Sequence, residues 1–222
     1  MRSRNDWGDV CDIRYFLGNL INKYQPNLLL DVACGMGYVS RSVHPTTKIV
    51  YMDYDQKKIK GIKLRENSEI VQGNLFSLPF KDEAFPFVLA GHCIPGWDFE
   101  ISPKGRDPKS SRINFLREIL RITRPGGTIM ITTPNGEHPL YKNKNKGTVQ
   151  EIRELLKMTK GQISIYGWNQ FYSSANNLVK KVYNKIIGLT LFRFNLQARD
   201  PISFLKTKAE KGVSFLVLIK KV

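Results

Sequence analysis

Short apolar runs and longer amphipathic stretches alternate along this chain. Leu28 to Val32, Lys48 to Asp53, Glu69 to Gln72, Phe87 to Ala90, Thr128 to Thr133, Gln162 to Tyr166 and Val213 to Ile219 are compact runs rich in β-branched and aliphatic residues, and each predicts a buried strand. Between them the apolar positions recur at helical spacing. Asp9 caps a helix with Val10, Ile13, Phe16, Leu17, Leu20 and Ile21 on one face, ending near Pro26. A short helix runs to about Val43, and another, capped by Asp55, turns Ile59, Ile62 and Leu64 inward. Ile113, Leu116, Ile119 and Leu120 mark a fourth, stopped by Pro125-Gly126-Gly127. Thr148 to Glu151 is a capping-box pattern ahead of Ile152, Leu155 and Leu156, and residues 174 to 187 set an apolar face against Lys180, Lys181 and Lys185. Strands alternating with helices predict an α/β fold, a mostly parallel sheet with helices on both faces.

The first strand carries the chemistry. Leu28-Leu29-Leu30-Asp31-Val32 runs straight into Ala33-Cys34-Gly35-Met36-Gly37-Tyr38, so an apolar strand ends in a glycine turn. Glycines let the backbone approach a ligand closely, and ligands of doubly wound sheets sit at the carboxyl ends of the strands. Asp53 ends the second strand 22 residues after Asp31, near the spacing at which a carboxylate receives ribose hydroxyls; the same residue could simply cap a helix. Taken in order, "LLLDVACGMGYVS", "IVYMDYD", "VQGNLFSLPFKDEAFPFVLAGH" and "FLREILRITRPGGTIMITTPN" resemble a class I S-adenosylmethionine-dependent methyltransferase over roughly residues 9 to 160.

That resemblance implies a Rossmann-like sheet of order 3-2-1-4-5-7-6 with the seventh strand antiparallel. It implies S-adenosylmethionine as cofactor. Asp31, Ala33, Gly35 and Gly37 are then expected around its methionine part, Asp53 on the ribose hydroxyls, Tyr54 against the adenine, and Asn74 with Leu75 at the adenine edge. Asn74 has an alternative role as a turn residue. The chain departs from the family pattern at Ala33, usually glycine, at Asn74, usually aspartate, and at Pro86, commonly aspartate. His92 follows the fourth strand, whose end faces the transferable methyl in the family, and is the candidate general base or else a residue that only lines the pocket. Trp97, Asp98 and Glu100, in the irregular stretch from Gly91 to Ser111, are candidates for the acceptor site, or else belong to an exposed mobile loop. Cys93 is followed by Ile94, so the Pro-Cys nucleophile of cytosine methylation is missing, as is the Asn-Pro-Pro-aromatic type of motif for adenine.

At 222 residues the chain suits one domain over 1–222, with a cofactor half over about 9–137 and a basic acceptor-side portion over about 138–222. Lys and Arg outnumber Asp and Glu by 19 to 15 in residues 1 to 137 and by 16 to 4 in residues 138 to 222. That excess is either a solvated surface or one that meets anionic partners. Cys11, Cys34 and Cys93 are widely separated, so neither a metal site nor a disulfide framework is expected. No apolar run follows the polar N-terminus and none reaches the ~20 residues of a membrane span, which predicts a cytoplasmic protein, peripheral at most. The expected activity is methyl transfer to a small or lipid-linked acceptor, at oxygen of a sugar, quinone or similar group, as in the small-molecule branch that "LPFKDEAF" and "TTPNGEHPLY" resemble. An RNA methyltransferase and a non-catalytic cofactor-binding subunit are the alternatives. Oligomeric state is not encoded in any of these features.

Overall fold

The computed structural model describes residues 13–97, 107–138, 146–168 and 214–222. Its strands are β1 (Leu28–Val32), β2 (Lys48–Asp53), β3 (Ser68–Gln72), β4 (Phe85–Gly91), β5 (Thr123–Pro134), β6 (Gly161–Trp168) and β7 (Ser214–Lys221). They form one sheet in the order β3-β2-β1-β4-β5-β7-β6. Neighbours from β3 to β5 pair in parallel, and β7 runs antiparallel to both β5 and β6. The order and the reversed last strand are those the resemblance implied. The chain builds outward from β1 to β3 on one side and from β4 on the other, which leaves a topological switch between β1 and β4, where ligands of such sheets bind.

Alternation along the strands divides the core into two layers. On one face Leu30, Val32, Val88, Ala90, Ile129 and Ile131 meet α3 (Pro108–Ile122) and α4 (Val149–Leu156). On the other Leu29, Ile49, Phe87, Leu89 and Met130 meet Leu17, Leu20 and Ile21 of α1 (Ile13–Tyr24) and Ile59 of α2 (Gln56–Lys60). Fully burying side chains such as Leu20 and Ile21 is worth roughly 1.5–3 kcal/mol each. Asp31 and Asp53 share the parity of Leu29 and Ile49, so both carboxylates lie on the α1 side at the strand ends.

Caps account for the helix starts. Asp55 accepts from the Lys57 N–H, Asp107 from that of Ser110, and Thr148 and Glu151 form the reciprocal capping box that the sequence spells out. The Leu78 to Asp82 segment is pinned to α3 by Arg121, whose guanidinium donates to the carbonyls of Leu78 (3.0 Å) and Phe80 (2.8 Å) and to Glu118 and Asp82.

Several expectations are corrected. The helix foreseen up to Val43 is only a 3-10 turn, Ser40–Ser42, because Val43 is already extended ahead of His44-Pro45. Its carbonyls are satisfied from elsewhere: Arg65 donates to Ser40 (2.8 Å) and Val43 (2.6 Å), and the Asn22 amide donates to Ser42 (2.8 Å). Helix α2 stops at Gly61, so Leu64 points outward at 49% exposure. Strand β5 begins at Thr123, before the glycines: Phe85 pairs with Thr123 and Phe87 with Thr128, and residues 124–127 bulge out with Gly126 at φ +69°. The bulge leaves Pro86 outside the paired register, where its missing N–H costs no ladder bond. The Asp9 cap and the basic helix at 174–187 lie outside the described residues.

Candidate functional site

The turn after β1 has a left-handed residue at every second position. Ala33 (φ +52°), Gly35 (φ +56°) and Gly37 (φ +67°) alternate with Cys34 and Met36, folding the backbone into a tight, open loop. Ala33 therefore occupies a conformation that suits the glycine usual in relatives, at a cost of about 1–2 kcal/mol. The two glycines are required for different reasons. A methyl at Gly37 would stand 2.9 Å from the Tyr51 ring, so packing excludes it, whereas one at Gly35 would meet nothing within 4 Å. Gly35 thus faces free space above the turn, the kind of cradle in which a ligand can lie against the main chain.

Asp53 ties this turn to β2. Its Oδ2 accepts the Gly35 N–H at 2.8 Å and its Oδ1 accepts the Asp55 N–H at 2.9 Å, while the Cys34 N–H donates to the Met52 carbonyl at 3.0 Å. A carboxylate has about four lone-pair sites, so two remain for a pair of ribose hydroxyls. Asp53 is buried at 4% exposure, and Tyr54 beside it is 55% exposed, a ring face free to cover a base. The Gln72 amide donates to the Tyr54 carbonyl at 3.1 Å and holds that corner.

Asp31 is buried at 3% exposure and accepts the Ser40 hydroxyl in a short hydrogen bond. Burial pushes its carboxyl up to about 7; the Ser40 bond works against this and the Asp53 charge adds to it. Burial, with Asp31 and Asp53 close by, also pushes the Cys34 thiol well above its usual range, which disfavours its thiolate. A buried carboxyl near neutrality gains most from a cationic partner, which fits the ammonium and sulfonium of S-adenosylmethionine. The donor set and the open space over Gly35 both suit that cofactor.

Asn74, expected at the adenine edge, is exposed and its side-chain oxygen accepts the Phe76 N–H at 2.9 Å, the contact of a turn residue. Leu75 is buried at 7% exposure. Across the switch point His92 is exposed, at φ +51°, and its N–H donates to the Thr132 carbonyl at 2.9 Å. Trp97 is not placed as expected. At 2% exposure it is a core side chain, with the Arg112 guanidinium 4.7 Å from its ring centre, Lys146 donating to its carbonyl, and Gly147 so close that a methyl there would sit 2.6 Å from the indole. Its large aromatic surface is used instead to pack Gly147 and Arg112 against the end of the β4 segment. Asp98 and Glu100 lie outside the described residues. Ser40, Arg65 and Gln72 were not visible as site residues, because each acts on the turn through a contact far from it in sequence.

Residues 30–131 match the family model described as a methyltransferase domain. A demethylmenaquinone methyltransferase of Lactococcus lactis is 29% identical over 154 residues, covering 64% of this chain and 56% of the relative. A phthiotriol/phenolphthiotriol dimycocerosates methyltransferase of Mycobacterium ulcerans is 32% identical over 114 residues, 47% of this chain and 36% of the relative. The chain thus spans about half the length of such relatives or less. Among solved structures, the plantazolicin methyltransferase in complex with SAH superposes with a TM-score of 0.62 at 16% identity, covering 99% of this chain and 86% of that one. An S-adenosylmethionine-dependent methyltransferase of Thermotoga maritima superposes at 0.59 with 17% identity, 97% and 93% covered. The match to the methyltransferase domain model runs from the middle of β1 into β5, the segment that holds the left-handed turn, both buried carboxylates and the switch point, so over this segment the chain is similar to S-adenosylmethionine-dependent methyltransferases.

Proposed function

We propose that this chain transfers the methyl group of S-adenosylmethionine to an oxygen atom of a small or lipid-linked acceptor. The observation that carries the reading is the pair of buried carboxylates, Asp31 and Asp53, around a left-handed turn at the β1–β4 switch point. When bound, the cofactor supplies a methyl group already activated on a sulfonium. The protein's work is then to hold and orient. Asp53 receives the ribose hydroxyls while anchoring Gly35; Asp31, set by Ser40, faces the cationic amino-acid end; and the backbone from Ala33 to Gly37 lies against that end. Tyr54 covers the adenine, and Asn74 with Leu75 borders its edge. His92, at the end of β4, takes the proton that the acceptor oxygen releases.

The relatives named for demethylmenaquinone and phthiotriol substrates support a small or lipid-linked acceptor, and a 24% identical ajmaline N-methyltransferase of Rauvolfia serpentina, 87% of this chain and 63% of that relative covered, makes nitrogen the competing atom. The charge excess in residues 138–222 suits an anionic headgroup or a phosphorylated carrier, with the protein peripheral at the cytoplasmic face of a membrane. Incubation with methyl-labelled cofactor and fractionated lipid, glycan and RNA extracts tests the reading. Label in a base-stable, oxygen-linked small-molecule or lipid product supports it. Label in RNA, or none in the presence of bound cofactor, would replace it with the RNA or the non-catalytic reading.

A further inference from the structure

Beside the cofactor turn, the α1 face of the sheet carries two hydroxyls that nothing so far explains. Thr132 and Ser214 are both fully buried, and among the described residues neither hydroxyl oxygen has a hydrogen-bond partner. Strand register places them together. Gly91 pairs with Thr132, Thr132 with Leu216, and Pro134 with Ser214. Alternation then puts Gly91, Thr132 and Ser214 on the same side as Leu89, Met130 and Leu216, the side that also carries Asp31. Thr132 and Ser214 are diagonal neighbours across an antiparallel pair, roughly 7–8 Å apart in this geometry.

Gly91 makes this arrangement a notch. Among the described residues, a methyl built on Gly91 would find a single atom within 4 Å, the Thr132 hydroxyl oxygen at 3.8 Å. The space over Gly91 is therefore bordered by an unpaired hydroxyl, immediately before His92, whose N–H locks onto the Thr132 carbonyl at 2.9 Å. Valine has the shape of threonine, and pure packing at a fully buried strand position would be served by it without burying an unpaired hydroxyl. Buried polar groups are paired in the great majority of cases, so an unpaired one calls for an explanation; Ser68, Ser111 and Thr159 also carry unpaired buried hydroxyls, but only Thr132 and Ser214 lie together on one face beside a glycine and next to the switch point.

We propose that Thr132, with Ser214 beside it, forms a hydroxyl-lined subsite over Gly91 that receives an oxygen-bearing group of the methyl acceptor. The inference rests on the methyltransferase reading and deepens it: it names positioning residues on β5 and β7 that select an acceptor able to hydrogen-bond there. A hydroxyl can donate to a carbonyl or ether oxygen and accept from a phenol or alcohol, so the selected class is an oxygenated ring or polyol carrying a second oxygen near the one that is methylated.

The test uses the full chain and two probes of nearly equal shape, 1,4-dihydroxynaphthalene kept reduced under nitrogen and 1,4-dimethylnaphthalene. Equilibrium dialysis gives their affinities with and without S-adenosylhomocysteine, and thermal melts report folding. The expected wild-type preference for the dihydroxy probe is about tenfold, one hydrogen bond's worth. Thr132→Val should abolish it with an unchanged or higher Tm, Ser214→Ala should reduce it, and Thr132→Ser should retain it. No preference in the wild type, or one unchanged in both Thr132→Val and Ser214→Ala, would overturn the subsite. Failure of S-adenosylhomocysteine to bind would sink the methyltransferase reading separately, since a Thr132-dependent preference in the ligand-free protein would stand without it.

Discussion

Replacing Asp53 by alanine removes two contacts within the protein and the two proposed to the ribose hydroxyls of the ligand. Within the fold its carboxylate accepts the Gly35 and Asp55 N–H groups at 2.8 and 2.9 Å, so the variant loosens the turn as well as the nucleoside site. Hydrogen bonds to a charged group contribute about 1.5–3 kcal/mol, so loss of the ribose contacts should weaken S-adenosylhomocysteine binding roughly tenfold to a hundredfold. Loss of the Gly35 anchor should also lower the Tm by a few degrees, at about 2–4 °C per kcal/mol for a chain of this size. Asp53→Asn separates the two effects: the amide keeps one acceptor but turns its NH2 toward a backbone donor, so one turn bond is lost while one ribose contact survives. Titration calorimetry with S-adenosylhomocysteine and its 2′-deoxy analogue, on wild type and Asp53→Ala, forms a double-mutant cycle. The deoxy analogue should bind more weakly to the wild type and no more weakly than the parent to the variant. Unchanged affinity for the parent in a folded Asp53→Ala protein, or a deoxy penalty that survives the substitution, would remove Asp53 from the ribose site.

Asp31 gives the pH behaviour. Its folded value of about 7 lies above the ordinary 3.8, so its contribution to ligand-free stability is present below about pH 4 and is lost as pH rises to 7. Melts across that window should show this loss, and Asp31→Asn should flatten it. A cation beside Asp31 favours the ionised form, so S-adenosylmethionine should bind more tightly as pH rises through 7 and expel a proton below it; calorimetry in buffers of different ionisation heat detects that proton, and none would be seen if the ammonium binds elsewhere. Both glycines are left-handed, so each Gly→Ala change costs the strain of a positive φ, but Gly37→Ala should lose more Tm because its methyl also meets the Tyr51 ring at 2.9 Å, whereas Gly35→Ala should lose cofactor affinity in addition; equal losses of Tm would contradict the open cradle over Gly35. His92→Asn tolerates φ +51° and should lower turnover by about 10² at near-constant cofactor affinity; near-normal turnover would mean transfer by proximity alone.

The seven strands, the Thr148 and Asp55 caps and the glycine turn were legible in the chain because each depends on residues within a few positions of one another: apolar runs, a capping pair, an acid before two glycines. The role of Arg121 in pinning the "LPFKD" segment, of Ser40 in holding Asp31, and of Arg65 in closing the turn after it were not, since their partners lie 41, 9 and 25 residues away and no local pattern links them. Trp97 shows the limit most plainly. An aromatic in an irregular, charged stretch has the same composition whether it lines a cleft or fills a core, and only the approach of Arg112 and Gly147 from distant elements decides for the core. The same holds for Thr132 and Ser214, which look like ordinary strand residues until the register of β4, β5 and β7 sets their hydroxyls on one face beside a glycine. Sequence alone determined which segments form strands and where the chain turns, because period and propensity are local; which side chains share a site was decided by strand order and register, because those depend on the burial of all the strands at once.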